Sequence, residues 1–403
     1  MQPANTTTIA SCKRNPTGNQ TAYYVGSDQR LYILSQGGGP TSQYVTEDLI
    51  AHWQSEAGIG IPYPRTGSGP RGDGPLSANA FESDGVSYLF YIDQANHIQA
   101  LSWPIILAGS VVIPPGGTLA NAMYPDLTVR TGAPPAMAGS PIASFAWETE
   151  QLSQRSQHVM YIGSDGNVWE LYYLSDQYDQ VRGGHLWQSN NLSERTGYTG
   201  VLAPKKNGPL VATMFQKEGS EHVIYIAGDN TIRELWFYNG AWGGNNLTEA
   251  TGALPVEQNT SLCTFACSYE DTLHVIYIGT DDLVHELWWA NGGWQPDHTI
   301  SSNPSASDSA LVGYACEFEQ SHHVIYVDTK DNIQELYRQG GQWGNTNLSL
   351  VDGASTPIGS ATPLAGNSDE IYQSQHIYYL DKSNRILELY RYADDWHINV
   401  VAS

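Results

Sequence analysis

Five histidines of this chain are each followed, twelve residues later, by a glutamate. The pairs are His158/Glu170, His222/Glu234, His274/Glu286, His323/Glu335 and His376/Glu388. A tryptophan comes eight residues after the glutamate in the last four copies, at Trp242, Trp294, Trp343 and Trp396, and after a longer loop, at Trp187, in the first. A carboxylate accepts hydrogen bonds from neighbouring hydroxyls, an imidazole donates or accepts them, and an indole covers an apolar C–H face. This combination suits the recognition of a sugar.

The pairs belong to a repeated phrase that reads His-Val-Ile-Tyr-Ile, a turn, and then Ile-x-Glu-Leu. Two degenerate copies, at residues 21–25 and 88–92, precede the five full ones. The aligned tyrosines are Tyr24, Tyr91, Tyr161, Tyr225, Tyr277, Tyr326 and Tyr379, separated by 67, 70, 64, 52, 49 and 53 residues. Periods of this length are typical of four-stranded propeller blades.

Each repeat contains the strands that would position its polar residues. A strand of small and apolar residues comes first, and the His-Val-Ile-Tyr-Ile strand, the Glu-Leu strand and a Gly-rich turn before the tryptophan follow. An antiparallel hairpin returns residue +12 to within a residue or two of residue 0, so each pair is expected to meet. The sequence predicts an all-β propeller over residues 1–403 as a single domain, with seven four-stranded blades. Repeats are regular over about 140–400 and irregular over 1–139, so six blades are the alternative.

Composition excludes several classes of function. The 41 acidic residues outnumber the 18 basic ones and give a net charge of −23, which disfavours nucleic-acid binding. The chain lacks an apolar run long enough for membrane insertion. Calcium-loop and zinc spacings are also missing, so neither a metal nor a cofactor is expected. The first residues do not resemble a signal peptide, and a cytoplasmic location, or secretion without a signal peptide, is expected.

The repeat resembles the fungal fucose-binding propeller lectins, whose blades carry Arg-Val-Tyr-Tyr…Ile-x-Glu and a later tryptophan at this spacing. In that family the sugar lies between the arginine and glutamate of one blade and the tryptophan of the next. The resemblance implies four ligand-binding sets: His158/Glu170 with Trp242, His222/Glu234 with Trp294, His274/Glu286 with Trp343, and His323/Glu335 with Trp396. His376 and Glu388 would face an aromatic residue of the first repeat, for which Tyr44 and Trp53 are candidates.

Every full copy has histidine where the fucose-binding family has arginine, and an imidazole is shorter than a guanidinium. The layout and length also resemble mushroom propeller lectins that bind terminal N-acetylglucosamine. The acetamide methyl of that sugar needs an apolar wall, which Trp236, Phe237, Trp288 or Trp289 could supply. Terminal N-acetylglucosamine is therefore the preferred sugar, and fucose is the alternative.

Two other classes compete with a lectin. A propeller glycosidase needs two carboxylates in different environments at one place, whereas this repeat offers one carboxylate at each of five places. A protein-interaction scaffold would not require the acid, imidazole and indole together, although the pair could also simply fasten its hairpin. Repetition of one weak site favours multivalent binding. The sequence thus predicts a non-enzymatic lectin for glycans and glycoproteins, as a monomer or homodimer.

Overall fold

A computed structural model describes residues 3, 8–14, 19–37, 39, 42–49, 69–71, 74–81, 86–103, 106–107, 110–111, 126–148, 155–177, 185–256 and 260–403. Contacts along the chain separate two compact units, Met1–Asn191 and Leu192–Ser403. The boundary falls between a strand and the short helix that follows it. The single domain over residues 1–403 stays a prediction. Within the described ranges, no helix has the length and hydrophobicity needed to span a bilayer.

The first unit contains three antiparallel sheets, one strand pair and one short helix in its described residues. The first sheet comprises β1 (Ile9–Arg14), β2 (Asn19–Val25), β3 (Leu31–Gln36) and β4 (Tyr44–Asp48). The second comprises β5 (Leu76–Ala80), β6 (Ser87–Ile92) and β7 (Ile98–Trp103), and is followed by the pair β8 (Ile106–Leu107) and β9 (Ser110–Val111) and by helix α1 (Leu127–Thr131). The third comprises β10 (Ile142–Glu148), β11 (Arg155–Ile162), β12 (Val168–Leu174) and β13 (Gln188–Asn191).

The second unit contains four sheets. It opens with α2 (Leu192–Thr196) and a 3₁₀ turn (Gly200–Leu202), and continues with β14 (Leu210–Phe215), β15 (Ser220–Ile226), β16 (Ile232–Tyr238), β17 (Ala241–Asn246) and α3 (Leu247–Thr251). The next sheet has β18 (Leu262–Cys267), β19 (Thr272–Ile278), β20 (Val284–Ala290) and an outer strand in two pieces, β21 (Gly293–Trp294) and β22 (His298–Thr299). The last two have β23 (Val312–Cys316), β24 (Ser321–Val327), β25 (Ile333–Gln339) and β26 (Gln342–Asn347), a 3₁₀ turn (Leu348–Leu350), and then β27 (Leu364–Asp369), β28 (Ser374–Leu380), β29 (Ile386–Tyr392) and β30 (Asp395–Ala402).

The described residues thus form seven blade-like sheets, which we number blades 1 to 7 in chain order. Each blade comes from one continuous stretch of chain, and its strands pair in sequential order. The first strands of successive blades lie side by side, in the order β1, β5, β10 in the first unit and β14, β18, β23, β27 in the second. The predicted all-β propeller class is confirmed with seven blades rather than six. Blade 2 departs from the prediction because it has three strands among its described residues.

The second strand of each regular blade forms the core. β15, β19, β24 and β28 are buried at every position, as expected for a sheet covered on both faces by its neighbours. The hairpin between the third and outer strands is tight. Asn239 and Gly240 both adopt positive φ, 51° and 80°, which is the two-residue type I′ turn that Asn-Gly favours.

The repeated tyrosine of the second strand ties its blade to the segment that enters it. In four blades its hydroxyl donates to a backbone carbonyl 23 to 27 residues earlier: Tyr161 to Pro134, Tyr225 to Leu202, Tyr326 to Asn303 and Tyr379 to Ser355. Burial is the main cause that raises the pKa of Tyr379 to about 12. The tyrosine of the repeat therefore makes a structural contact within the protein.

Successive blades of the second unit are also joined by glutamates four residues before the repeated histidine. Glu218 accepts from the Trp289 indole at 2.8 Å. Glu270 is held by Arg338 at 2.7 and 2.8 Å. Glu319 is held by Arg391 at 2.6 and 2.7 Å, and each donor lies three residues after the repeated glutamate of the next blade. These contacts join blade 4 to blade 5, blade 5 to blade 6 and blade 6 to blade 7.

Candidate functional site

All five predicted histidine–glutamate pairs are formed. In blade 3, His158 pairs across the sheet with Tyr172, and Glu170 pairs with Met160, so the two polar side chains are diagonal neighbours on one face. The Nδ1–Oε1 distances are 2.7 Å for His158/Glu170, 2.7 Å for His222/Glu234, 2.8 Å for His274/Glu286, 2.9 Å for His323/Glu335 and 2.7 Å for His376/Glu388. An ionised carboxylate only accepts, so each Nδ1–H donates.

A hydroxyl two residues before each histidine holds the other ring nitrogen. The partners of Nε2 are Ser156, Ser220, Thr272, Ser321 and Ser374, at 2.7 to 2.8 Å. An aromatic ring on the first strand packs flat on the imidazole in three blades; Phe145 lies 4.7 Å from His158. Each histidine is therefore fixed in orientation, and all ten pair members are 0 to 5% exposed. The sequence analysis did not predict this hydroxyl partner, although a serine or threonine recurs two residues before each histidine.

The second oxygen of the glutamate divides the five blades into two groups. In blades 3, 4 and 7, Oε2 accepts from an asparagine directly opposite on the outer strand: Asn190 at 2.7 Å, Asn245 at 2.6 Å and Asn399 at 2.9 Å. In blades 5 and 6 the opposite residues are His298 and Thr346. Within the described residues, Oε2 of Glu286 and of Glu335 accepts no hydrogen bond, and the nearest His298 nitrogen is 3.7 Å from Glu286.

Three of the predicted tryptophans, Trp294, Trp343 and Trp396, contact the preceding blade or a cluster that they share with it. Trp294 of blade 5 donates its indole N–H to Glu234 Oε2 of blade 4 at 3.0 Å. Trp343 packs against a hydrophobic cluster formed by residues of blades 5 and 6, which includes Ile276, the residue directly opposite Glu286. Trp396 packs against a second hydrophobic cluster, formed by residues of blades 6 and 7, which includes Ile325, the residue opposite Glu335. All three tryptophans are partly exposed.

The set of Trp343 has a second open hydrogen-bonding group. Its indole nitrogen is buried and has no hydrogen-bond partner among the described residues. The carboxylate of Glu286 in the same set has an oxygen without a donor. This set therefore has one donor and one acceptor that are not paired with any described residue.

Other predicted sets are not brought together within one unit. His158 and Glu170 belong to the first unit, and Trp242, which packs beside Phe237 at 5.4 Å, belongs to the second. His376 and Glu388 lie in the second unit, whereas Tyr44 begins β4 of the first. Trp53, the other candidate, lies outside the described residues.

An aromatic side chain lies opposite each histidine, two residues after the glutamate. The residues are Tyr172, Trp236, Trp288, Tyr337 and Tyr390. A Cβ atom on Gly243 would overlap the Trp236 ring, so this glycine lets the ring lie over the outer strand. Of the four predicted apolar walls, Trp236 and Trp288 share the face of the pair, whereas Phe237 and Trp289 alternate to the other face. The constant spacing of two residues after the glutamate is the feature of the sequence that identifies this aromatic position.

Two groups of metal-binding side chains occur in the second unit. Glu270, His274 and His322, and likewise Cys316, Glu319 and His323, bring ligand atoms within 4.8 Å of one another. The carboxylates are already paired with arginines, and both nitrogens of His274 and of His323 already have partners. The side chains of these two groups therefore serve in hydrogen bonds and ion pairs of the blades.

His322 is a buried histidine next to the blade 5 pair. Its ring centroid lies 4.3 Å from that of His274, and neither of its nitrogens has a hydrogen-bond partner in the described residues. Burial is the main cause that lowers the pKa of His322 from 6.5 to about 2, and the nearby Arg338 charge lowers it further. Below about pH 6.5 the folded protein therefore keeps the His322 ring neutral, whereas the unfolded chain would protonate it.

The stability of the protein should consequently fall with acid through His322. As the pH drops below about 6.5, the unfolded state binds a proton that the folded state refuses, so the free energy of unfolding falls by about 1.4 kcal/mol per pH unit. His322→Leu should reduce the slope of unfolding free energy against pH between 6 and 5 by about that amount. Urea unfolding at several pH values measures it, and parallel slopes for the two proteins would refute the assignment.

The chain is similar to known lectins in sequence family and in fold. Residues 170–402 match the model of a family described as fungal fucose-specific lectin. A lectin from Burkholderia pseudomallei shares 12% identity and a TM-score of 0.62, over 100% of this chain and 99% of that one. AofleA from Arthrobotrys oligospora shares 14% identity and a TM-score of 0.54, over 87% and 88%. No curated protein matches the sequence.

A variant of the Aleuria aurantia lectin, solved in complex with Fucα1-6GlcNAc, shares 14% identity and a TM-score of 0.51, over 85% of this chain and 94% of that one. The Aleuria lectin is described as a six-bladed β-propeller. At such identities the solved structures establish the fold alone. They support the propeller class, with one blade more in this chain.

Proposed function

Because the chain belongs to the fungal fucose-specific lectin family, we propose that it binds terminal sugars at several grooves, each formed by the histidine–glutamate pair of one blade and the tryptophan of the next. The observation that carries the proposal is the 3.0 Å hydrogen bond from Trp294 to Glu234, which joins the predicted acid and indole across two blades. Lectins of this kind bind sugars without chemical conversion, in keeping with the single acid of each groove.

The grooves differ in whether the second carboxylate oxygen of the glutamate already accepts a hydrogen bond from the protein. In the set of Glu234, the indole and Asn245 already occupy the second carboxylate oxygen, so a sugar hydroxyl must displace one of them. In the sets of Glu286 and Glu335 that oxygen has no donor in the described residues. A sugar hydroxyl can bind there without breaking a protein hydrogen bond. We propose the grooves of blades 5 and 6 as the principal binding sites.

The burial of the pairs limits what the sugar can touch. With the histidine held by a hydroxyl and a glutamate, only the free carboxylate oxygen and the half-buried rings remain for the ligand. Trp288 and Tyr337 lie on the same face as their pairs and offer an apolar surface. One acceptor and one or two aromatic faces fit a small sugar with an apolar side.

Fucose is the sugar we propose. The family description supports it, and a related propeller has been solved with a fucosylated disaccharide. The preference for N-acetylglucosamine that the sequence suggested has no support from these comparisons. The aromatic surface beside the carboxylate can accept the methyl group of fucose as well as it could an acetamide methyl.

A glycan array with the purified full chain tests the proposal. We expect binding to fucosylated probes and no binding to probes that end in N-acetylglucosamine. Binding to N-acetylglucosamine probes alone would reverse the choice of sugar. Silence across the array, for a protein shown to be folded, would contradict the lectin function and favour a protein-interaction scaffold.

A further inference from the structure

The outer strand of blade 5 differs from those of its neighbours at the residue opposite the repeated glutamate. In blades 4, 6 and 7 that residue comes three residues after the tryptophan, whereas in blade 5 it comes four residues after Trp294. The extra residue lies where the strand divides into β21 and β22, and it brings His298 opposite Glu286. An insertion of this kind is a β-bulge, which often redirects a side chain beside a functional site.

The His298 ring lies beside the free carboxylate oxygen of the groove without binding it. The side chain is 52% exposed, and its Nδ1 lies 3.7 Å from Oε2 of Glu286, which is beyond hydrogen-bonding distance. The ring meets Trp288 edge to face, with centroids 6.2 Å apart. A small rotation of this exposed ring is enough to close the gap. His298 can therefore leave the carboxylate oxygen to a sugar hydroxyl or occupy that oxygen itself.

A second histidine holds the chain next to His298 in place. His285 Nδ1 lies 3.0 Å from a carboxylate oxygen of Asp297, and its Nε2 lies 3.0 Å from Asp281. Tyr277 also donates to Asp297, at 2.9 Å. Burial opposes the charge on His285, but hydrogen bonds to the two carboxylates raise its pKa above the usual value. Mild acid therefore keeps His285 charged and preserves this anchor.

The charges around His298 favour its approach to Glu286 in acid. Within the described residues, Glu286 is the one carboxylate in ion-pair range of the His298 ring. The other oxygen of Glu286 accepts from His274 at 2.8 Å, and the carboxylate of Asp297 is held by His285. Histidine is the side chain that gains its charge between pH 8 and 5, and a charged N–H donor binds a carboxylate more strongly than a neutral one. Protonation of the ring thus favours the closed position.

We propose that His298 is a specificity-determining residue of the blade 5 groove, which leaves Glu286 to a sugar hydroxyl when its ring is neutral and takes that acceptor away when its ring is charged. The inference rests on the proposed lectin function of this groove. In blades 3, 4 and 7 an asparagine, which does not titrate, holds the same oxygen, and in blade 6 the opposite residue is Thr346. Of the five full repeats, blade 5 alone has a titratable residue at this position.

Crystal structures of the full chain without sugar, at pH 7.5 and pH 5.5, test the movement itself. We expect the distance of 3.7 Å between His298 Nδ1 and Glu286 Oε2 to shorten to below about 3.0 Å at pH 5.5. An unchanged distance at pH 5.5 would overturn the proposal. This measurement needs no ligand, so its result is separate from the success or failure of the proposed function.

Calorimetric titration with methyl α-L-fucoside tests the effect on binding. In a Glu335→Gln protein, in which blade 5 keeps its free carboxylate oxygen, we expect the affinity to fall about fivefold from pH 7.5 to pH 5.5. Adding His298→Thr should keep the binding and remove this pH dependence. Adding His298→Asn should weaken binding at least about fivefold at both pH values, because asparagine holds the oxygen in the other blades. The same loss in acid with His298→Thr, or equal binding by the two variants, would refute the role of His298.

The matched control is a Glu286→Gln protein, which keeps the groove of blade 6. Its affinity for the fucoside should change by less than about twofold between the two pH values, because Thr346 carries no titratable group. A fivefold loss in acid here as well, in a protein that tryptophan fluorescence shows to be folded, would assign the effect to the whole chain and overturn the proposal. Absence of fucoside binding by the unmodified chain at pH 7.5 would instead contradict the proposed function.

Discussion

Replacement of Glu286 and Glu335 together by glutamine is expected to lower avidity for a fucosylated surface by about 10²- to 10⁴-fold. These glutamates carry the carboxylate oxygens that accept no hydrogen bond from the described protein, and glutamine turns one acceptor into a donor. Each site alone binds weakly, because a small sugar contributes only about 0.3 kcal/mol for each heavy atom. Loss of two grooves therefore removes most of the multivalent gain. Surface plasmon resonance on an immobilised fucosylated glycoprotein measures it.

The matched control is the double variant Glu234→Gln with Glu388→Gln. In both residues the second oxygen is already occupied by an asparagine. We expect avidity to change by less than about threefold, and Glu234→Ala alone to lower agglutination only in part. Equal losses in the two double variants, with both proteins folded, would contradict the division of the grooves into open and occupied ones. Complete loss of agglutination from Glu234→Ala would contradict independent grooves.

Glu388→Ala is expected to cost about 3–5 kcal/mol of unfolding free energy. His376 and Glu388 are both fully buried, and the carboxylate accepts from His376 and from Asn399. Alanine removes both acceptor oxygens and leaves the buried His376 donor and the partly exposed Asn399 donor without them. Urea unfolding followed by tryptophan fluorescence measures the loss. Glu388→Gln should cost less, because it keeps one carbonyl oxygen in place.

Asp352→Ala is the control for this stability change. Asp352 is exposed in the same unit, and its replacement should shift the unfolding free energy by no more than about 0.5 kcal/mol. A loss below 1 kcal/mol in Glu388→Ala would contradict this prediction. It would mean that water takes the place of the carboxylate in the hydrogen bonds with His376 and Asn399.

The repeat predicted a large part of this arrangement from sequence. A spacing of twelve residues across a tight turn places His222 and Glu234 on one face of a hairpin, and strand alternation alone requires that result. The position of Trp294 against blade 4 came from the family resemblance, and the indole hydrogen bond agrees with it. The seven blades followed from the seven aligned tyrosines.

Other features depended on contacts that spacing does not encode. Whether Oε2 of a glutamate is occupied depends on the residue opposite it on the outer strand, and that strand is interrupted in blade 5, where His298 takes the place of an asparagine. The choice of sugar rested on the exchange of arginine for histidine, whose effect depends on the burial of the ring.

The glutamates that join successive blades give blades 5 and 6 both an acid that meets the next blade and a donor that meets the preceding one. Glu218 meets Trp289, Glu270 meets Arg338 and Glu319 meets Arg391. If blade 6 were deleted, Glu270 would meet Arg391; if blade 5 were deleted, Glu218 would meet Arg338. Every such splice still matches an acid with a donor. The acid–donor contact between blades thus does not depend on the number of repeats. This allows gene duplication or loss to add or remove one groove at a time.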